Sequence, residues 1–200
     1  MNIADSTVAD FRKDGVVVLR DIFRDWVEPL SQGVAEVMAH PSPLERSYQP
    51  KDGSAPFFQD LCNWQRIPAF RAFIYESPAA EIAARLMGSA TSRFFHDHIL
   101  VKRPGNSTVT PWHQDQPYYC VEGDRTVSFW TPLDTISRSV SLECVAGSHH
   151  WRAMGQGGGR QQVQAGFCGD RARHRSQCAG RRQIDSVQQI VVGCLTGAMP

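Results

Sequence analysis

At 200 residues, with 21 basic groups against 20 acidic ones, the chain can bury one sizeable core. Its formal charge of +1 gives no electrostatic case for a nucleic-acid or anionic-membrane partner. No apolar run is long enough to span a membrane, the first residues lack a signal-peptide layout, and the six cysteines include no C-x-x-C pair, so a cytoplasmic protein with free thiols and no evident protein partner is expected.

Residues 5–13 are predicted to form a short helix, with Ser6 or Thr7 as cap and Gly15 at its end. Residues 16–19, rich in valine, suit a buried strand. Asp25 can cap a helix whose Val27, Leu30, Val34, Val37 and Met38 keep helical spacing until Pro41 and Pro43 stop it. Residues 42–63 read as a long surface loop, of a length that often serves as a lid and selects substrate. Ser77-Pro78 opens another helix, which Gly88 ends. Strands are expected at 92–102, 126–133 and 141–145, followed by a loop at 146–150. Helices come first and strands later, so the class is α+β.

The average composition hides a break near Trp151. Residues 152–200 hold seven Arg against Asp170 and Asp185, a charge of +5, whereas residues 1–151 carry −4. Of the 19 aromatic residues, only Phe167 follows Trp151, and Gly and Gln runs dominate instead. Such a segment has little apolar surface to offset chain entropy, so it is expected to be disordered. The chain divides into a domain over 1–151 and a low-complexity tail over 152–200.

The chemistry concentrates in Thr110-Pro111-Trp112-His113-Gln114-Asp115-Gln116-Pro117-Tyr118-Tyr119. On an extended backbone, positions i and i+2 share a face, so His113 and Asp115 can offer one nitrogen and one oxygen to a divalent metal. Two His and one carboxylate is the arrangement that holds non-haem Fe(II) with positions left open. Trp112, Tyr118 and Tyr119 could wall off water, and Pro111 and Pro117 stiffen the segment. The plainer alternative is a surface His–Asp ion pair in a loop. His96-x-His98 could serve a cupin-like barrel, but no Glu follows in 99–121, so a pocket-lining strand pair is favoured. His149 and His150 read as loop histidines, and His174 lies among arginines that would repel a cation. Lys102, Arg103 and Arg125 could pair with an anionic substrate, though solvation is the simpler state. Trp130 is a core residue or a pocket floor.

Five motifs in order carry a family resemblance: Asp14-Gly15-Val16-Val17-Val18-Leu19, Phe95-His96-Asp97-His98 through Lys102-Arg103-Pro104-Gly105, Trp112-His113-Gln114-Asp115, Ser128-Phe129-Trp130-Thr131-Pro132-Leu133-Asp134 and Ala146-Gly147-Ser148-His149. Over residues 8–151 the chain resembles the phytanoyl-CoA dioxygenase family of Fe(II)- and 2-oxoglutarate-dependent oxygenases. The resemblance implies a double-stranded β-helix (jelly-roll) core with flanking N-terminal helices. It implies hydroxylation of a small organic substrate, with 2-oxoglutarate converted to succinate and carbon dioxide. His113 and Asp115 match two metal ligands, and Trp130 matches a residue of the 2-oxoglutarate pocket. His98 matches a second pocket position, Gln114 can assist between the ligands, and Lys102 is a family-like residue placed with the cofactor-binding set.

The family's distal His, in a Gly-Asp…Phe-His…His-Gly context, and the Arg about ten residues beyond it have no counterpart here. The jelly roll is therefore expected to be incomplete at its C-terminus, with residues from about 152 out of frame or replaced, a point the coding DNA can check. Whether the chain is an active enzyme is left open, and low activity is expected. The alternatives are a non-catalytic metal- or small-molecule-binding β-barrel and a misfolded fragment.

Overall fold

Four helices and a mixed sheet make up the computed structural model, which describes residues 3–110, 112–115, 121–122, 125–151, 182–183 and 187–195. Helix α1 (Asp5–Asp14) ends at Gly15, which takes the left-handed conformation (φ 78°) and donates its N–H to the Phe11 carbonyl at 2.8 Å. Ala4, not Ser6 or Thr7, occupies the N-cap position, and no side chain caps the helix. Asp25 lies in a 3-10 turn (Arg24–Trp26) that runs into α2 (Val27–Ala39), rather than capping it. Helix α3 (Pro68–Glu76) was not anticipated from the sequence; α4 (Ala79–Met87) begins just after Pro78 and ends at Gly88. No helix among the described residues is long and apolar enough to cross a membrane.

The helices pack closely because Gly33 of α2 has no side chain. A Cβ there would lie 2.6 Å from Phe70 Cε1 and 3.0 Å from Ile67 Cγ2. Leu30, Val37, Phe73 and Ile82 are buried in the same core, and Phe23 joins it to the sheet by edge-on contacts with Phe73 (4.9 Å) and Phe129 (5.8 Å).

The sheet contains β1 (Phe57–Leu61), β2 (Arg93–Lys102), β4 (Thr126–Pro132) and β6 (Val187–Leu195), in the order β1-β2-β6-β4. β1 and β2 are antiparallel, while β6 runs parallel to both β2 and β4. A separate two-residue ladder pairs β3 (Val121–Glu122) with β5 (Arg182–Gln183). Strand alternation sorts the side chains. Ile99, Val101, Val127 and Phe129 join the helix-packed core, so His98, Lys102, Ser128 and Trp130 take the opposite face. The register shift between Phe94 and His96 makes this possible: Phe94 packs against the helices, and His96 belongs to the other face.

Several expectations need correction. Residues 16–19 form no strand: Val17 and Leu19 pack partly on the core, Val16 and Val18 are exposed, and no neighbouring strand offers a ladder among the described residues. Residues 141–145 are also irregular. The loop expected over 42–63 contains β1 and is anchored along its length. Asp60 accepts the Ser42 N–H (2.7 Å) and hydroxyl (2.5 Å), while Asn106 Nδ2 donates to the Ala55 carbonyl at 2.5 Å. Residues 187–195, inside the segment expected to be disordered, form an inner strand of the sheet. Their local run Ile190-Val191-Val192 suits a strand, a signal lost when composition is averaged over 49 residues. The α+β class holds. Among the described residues the strands form one open sheet and one short ladder, and they do not close into a barrel.

Candidate metal centre

The sheet face turned away from the helices carries the residues on which the chemistry depends. Register pairs place His98, Val191 and Trp130 in one row across β2, β6 and β4, with His96, Gln189 and Ser128 in the next. His98 and Trp130 thus flank β6 at two strand spacings, about 10 Å between backbones.

His98 is 5% exposed. Burial, and secondarily the neighbouring His96, push its pKa down to about 3, against the opposing pull of Asp115 and Asp60. The imidazole is neutral across the physiological range. Trp130 is half-buried in the same row. Lys102, at the end of β2, donates from Nζ to the Thr108 carbonyl at 2.8 Å and lies 4.9 Å from the centre of the Phe57 ring. Burial lowers its pKa. Arg103 and Arg125 are exposed.

His113 and Asp115 lie in an irregular segment rather than a strand, yet their side chains meet: His113 Nε2 is 3.2 Å from Asp115 Oδ1. The second carboxylate oxygen, Oδ2, lies 3.3 Å from Ser128 Oγ. Gln114, between the pair, donates from Nε2 to the Ser148 carbonyl at 3.2 Å. Ser148 belongs to a 3-10 turn docked on the end of α1 through the Gly147 N–H and the Asp14 carbonyl (2.8 Å). Trp112 is 65% exposed, so it does not wall the pair from water. Pro111, Pro117, Tyr118 and Tyr119 lie outside the described residues.

Donor geometry can be tested against a metal. With bonds of about 2.1 Å, two adjacent octahedral donors stand about 3.0 Å apart. The 3.2 Å between Nε2 and Oδ1 fits two such positions. Among the described residues, no three His, Cys, Asp or Glu side chains converge to complete the set. His149 is placed elsewhere, with Nε2 3.1 Å from the Arg12 carbonyl and its ring against Gly15. His174 lies outside the described residues. Two neighbours of Asp115 escaped the sequence reading. Ser128 was legible only as the residue two before Trp130 on one strand face. Cys144, whose thiol pKa is raised by burial and then by the Asp115 charge, carried no signal.

These features define an α+β domain with a His-x-Asp pair against the helix-free face of its sheet. The chain belongs to the phytanoyl-CoA dioxygenase family, a family of Fe(II)- and 2-oxoglutarate-dependent oxygenases, whose model matches residues 11–183. That match runs past Trp151, where the recognisable motifs end. No curated protein and no solved structure gives a significant match.

Proposed function

We propose that His113 and Asp115 supply two protein ligands to Fe(II), on part of a jelly-roll scaffold built to hydroxylate a small organic substrate. The observation that carries this reading is the 3.2 Å approach of Nε2 and Oδ1, the spacing of two adjacent ligands on one metal. Family membership supports iron and 2-oxoglutarate as the groups involved. When bound, iron and 2-oxoglutarate together supply oxygen activation, and the co-substrate leaves as succinate and carbon dioxide.

The chain's own residues supply binding and orientation. His98 offers a neutral, buried imidazole to the pocket, and Trp130 gives it an aromatic wall. Lys102, a cation on the same sheet face as His98, would pair with a 2-oxoglutarate carboxylate, its amine exchanging the Thr108 carbonyl for that partner. Gln114 fixes the segment between the ligands to the turn at Ser148.

Two donors hold a metal less tightly than three, and no residue matches the family's distal His or its carboxylate-binding Arg. We therefore propose weak iron binding and little oxygenase turnover for this 200-residue polypeptide. That no third donor converges among the described residues equally favours a second reading, a non-catalytic metal-binding protein. Tryptophan fluorescence separates the two, since Trp112 adjoins His113. Quenching by Fe(II) that 2-oxoglutarate deepens supports the oxygenase site. Quenching by Fe(II) alone supports the second reading, and no quenching removes both. His113→Ala is expected to abolish the iron effect. Succinate release at rates ordinary for enzymes would contradict the proposed impairment.

A further inference from the structure

We infer that Ser128 is a positioning residue for the Asp115 carboxylate. This role rests on the reading of His113 and Asp115 as the iron pair. The two carboxylate oxygens of Asp115 have different neighbours: Oδ1 faces His113 Nε2 at 3.2 Å, and Oδ2 faces Ser128 Oγ at 3.3 Å. The hydroxyl is the donor, because an ionised carboxylate can only accept. It therefore engages the oxygen turned away from His113 and leaves the other directed at the point where the metal would sit.

The elements involved give this contact its value. Asp115 is held on an irregular segment, while Ser128 is in the middle of β4, hydrogen-bonded along its length to β6. The carboxylate torsion is intrinsically broad, so a lone Asp in a loop samples many orientations. A donor fixed on the sheet narrows them before the metal arrives. Ser128 also stands one row from Trp130 on the same face, which fixes Asp115 relative to Trp130 as well as to His113. The spacing is long for a hydroxyl–carboxylate bond. Such contacts commonly tighten when a site is loaded. Partners that orient metal ligands from outside the coordination sphere typically govern about 10- to 100-fold in affinity.

The test is Co(II) binding to the full chain, followed by equilibrium dialysis and by the visible absorption of the bound ion. Ser128→Ala is expected to weaken Co(II) binding about 10-fold and to alter the visible band, with the thermal melt unchanged. Ser128→Thr, which keeps the hydroxyl, is expected to return both to within about twofold of the wild type. If Ser128→Ala lowers the melting temperature, Ser128→Val repeats the comparison with a side chain that suits a strand but cannot donate. Wild-type affinity and spectrum in the Ala and Val variants would overturn the inference, as would equal weakening in Ala and Thr. If the wild type binds Co(II) no better than His113→Ala, the iron-pair reading itself has failed and the Ser128 role falls with it.

Discussion

His98 is an imidazole that the fold keeps uncharged. Its folded pKa of about 3 lies below the ordinary histidine value of 6.5. The fold is therefore unpenalised above pH 6.5, and stability is lost as pH falls from there toward 3. Within that window one such group removes about 1.4 kcal/mol per pH unit. Urea unfolding between pH 7 and 4 is expected to show this slope, and His98→Gln should reduce it by about one proton. An unchanged slope in the variant would show that His98 is not the group being titrated. Asp97, one residue earlier, works in the opposite sense. Burial raises its carboxyl pKa despite the N–H groups of Asn63 and Trp64, each at 2.9 Å. Its penalty thus appears as pH rises from the ordinary carboxyl range through the folded value. At this scale the sequence revealed the His113–Asp115 pair because a two-residue spacing is local. Ser128 and Cys144 were hidden because their nearness to Asp115 depends on tertiary packing.

Among the elements, α2 and α3 pack closely where Gly33 meets Phe70, and the missing side chain permits it. Gly33→Ala gains about 1 kcal/mol of helix propensity, yet its methyl group meets Phe70 and Ile67 in a filled core. Overpacking of this kind costs about 1–3 kcal/mol, so the variant is expected to be no more stable than the wild type, and less stable by up to about 2 kcal/mol in urea denaturation. A gain in stability would mean that the helices can move apart freely. Which elements were legible follows from their punctuation. Gly15, Gly88 and the Pro41/Pro43 pair marked the ends of α1, α4 and α2, and residues rich in strand formers marked β2 and β4. Helix α3 has the pattern Phe70, Phe73, Ile74, but it is nine residues long and starts after Ile67 without a capping side chain. β1 is five residues long and follows a Pro/Gly/Ser-rich stretch that resembles loop. The valines at 16–18 have strand propensity without a partner, and propensity alone does not make a sheet.

For the whole molecule, β6 matters most, because among the described residues it joins the antiparallel β1–β2 pair to β4 in the four-stranded sheet. Pairing on both sides makes Val191 a central-strand position, in register with His98 on one side and Trp130 on the other. Val191→Pro removes a ladder donor and leaves its acceptor unpaired, and is expected to cost about 1–3 kcal/mol, read from the urea midpoint. Unfolding at the wild-type midpoint would show that the sheet does not depend on this strand. Composition could not foretell the placement of β6, since strand order is set by long-range pairing and the surrounding Arg, Gln and Gly mask the short apolar run. The α+β class and the family were legible because ordered motifs over 8–151 carry them. The completeness of the metal site was not, because it requires a donor brought in from elsewhere in the fold.

The most direct test of the central claim is anaerobic equilibrium dialysis of Fe(II) against the wild-type chain and His113→Ala. The expected result is one ion per wild-type chain, bound weakly, and loss of that ion in the variant. Equal Fe(II) binding by the two proteins would contradict the assignment of the His113–Asp115 pair as the metal site.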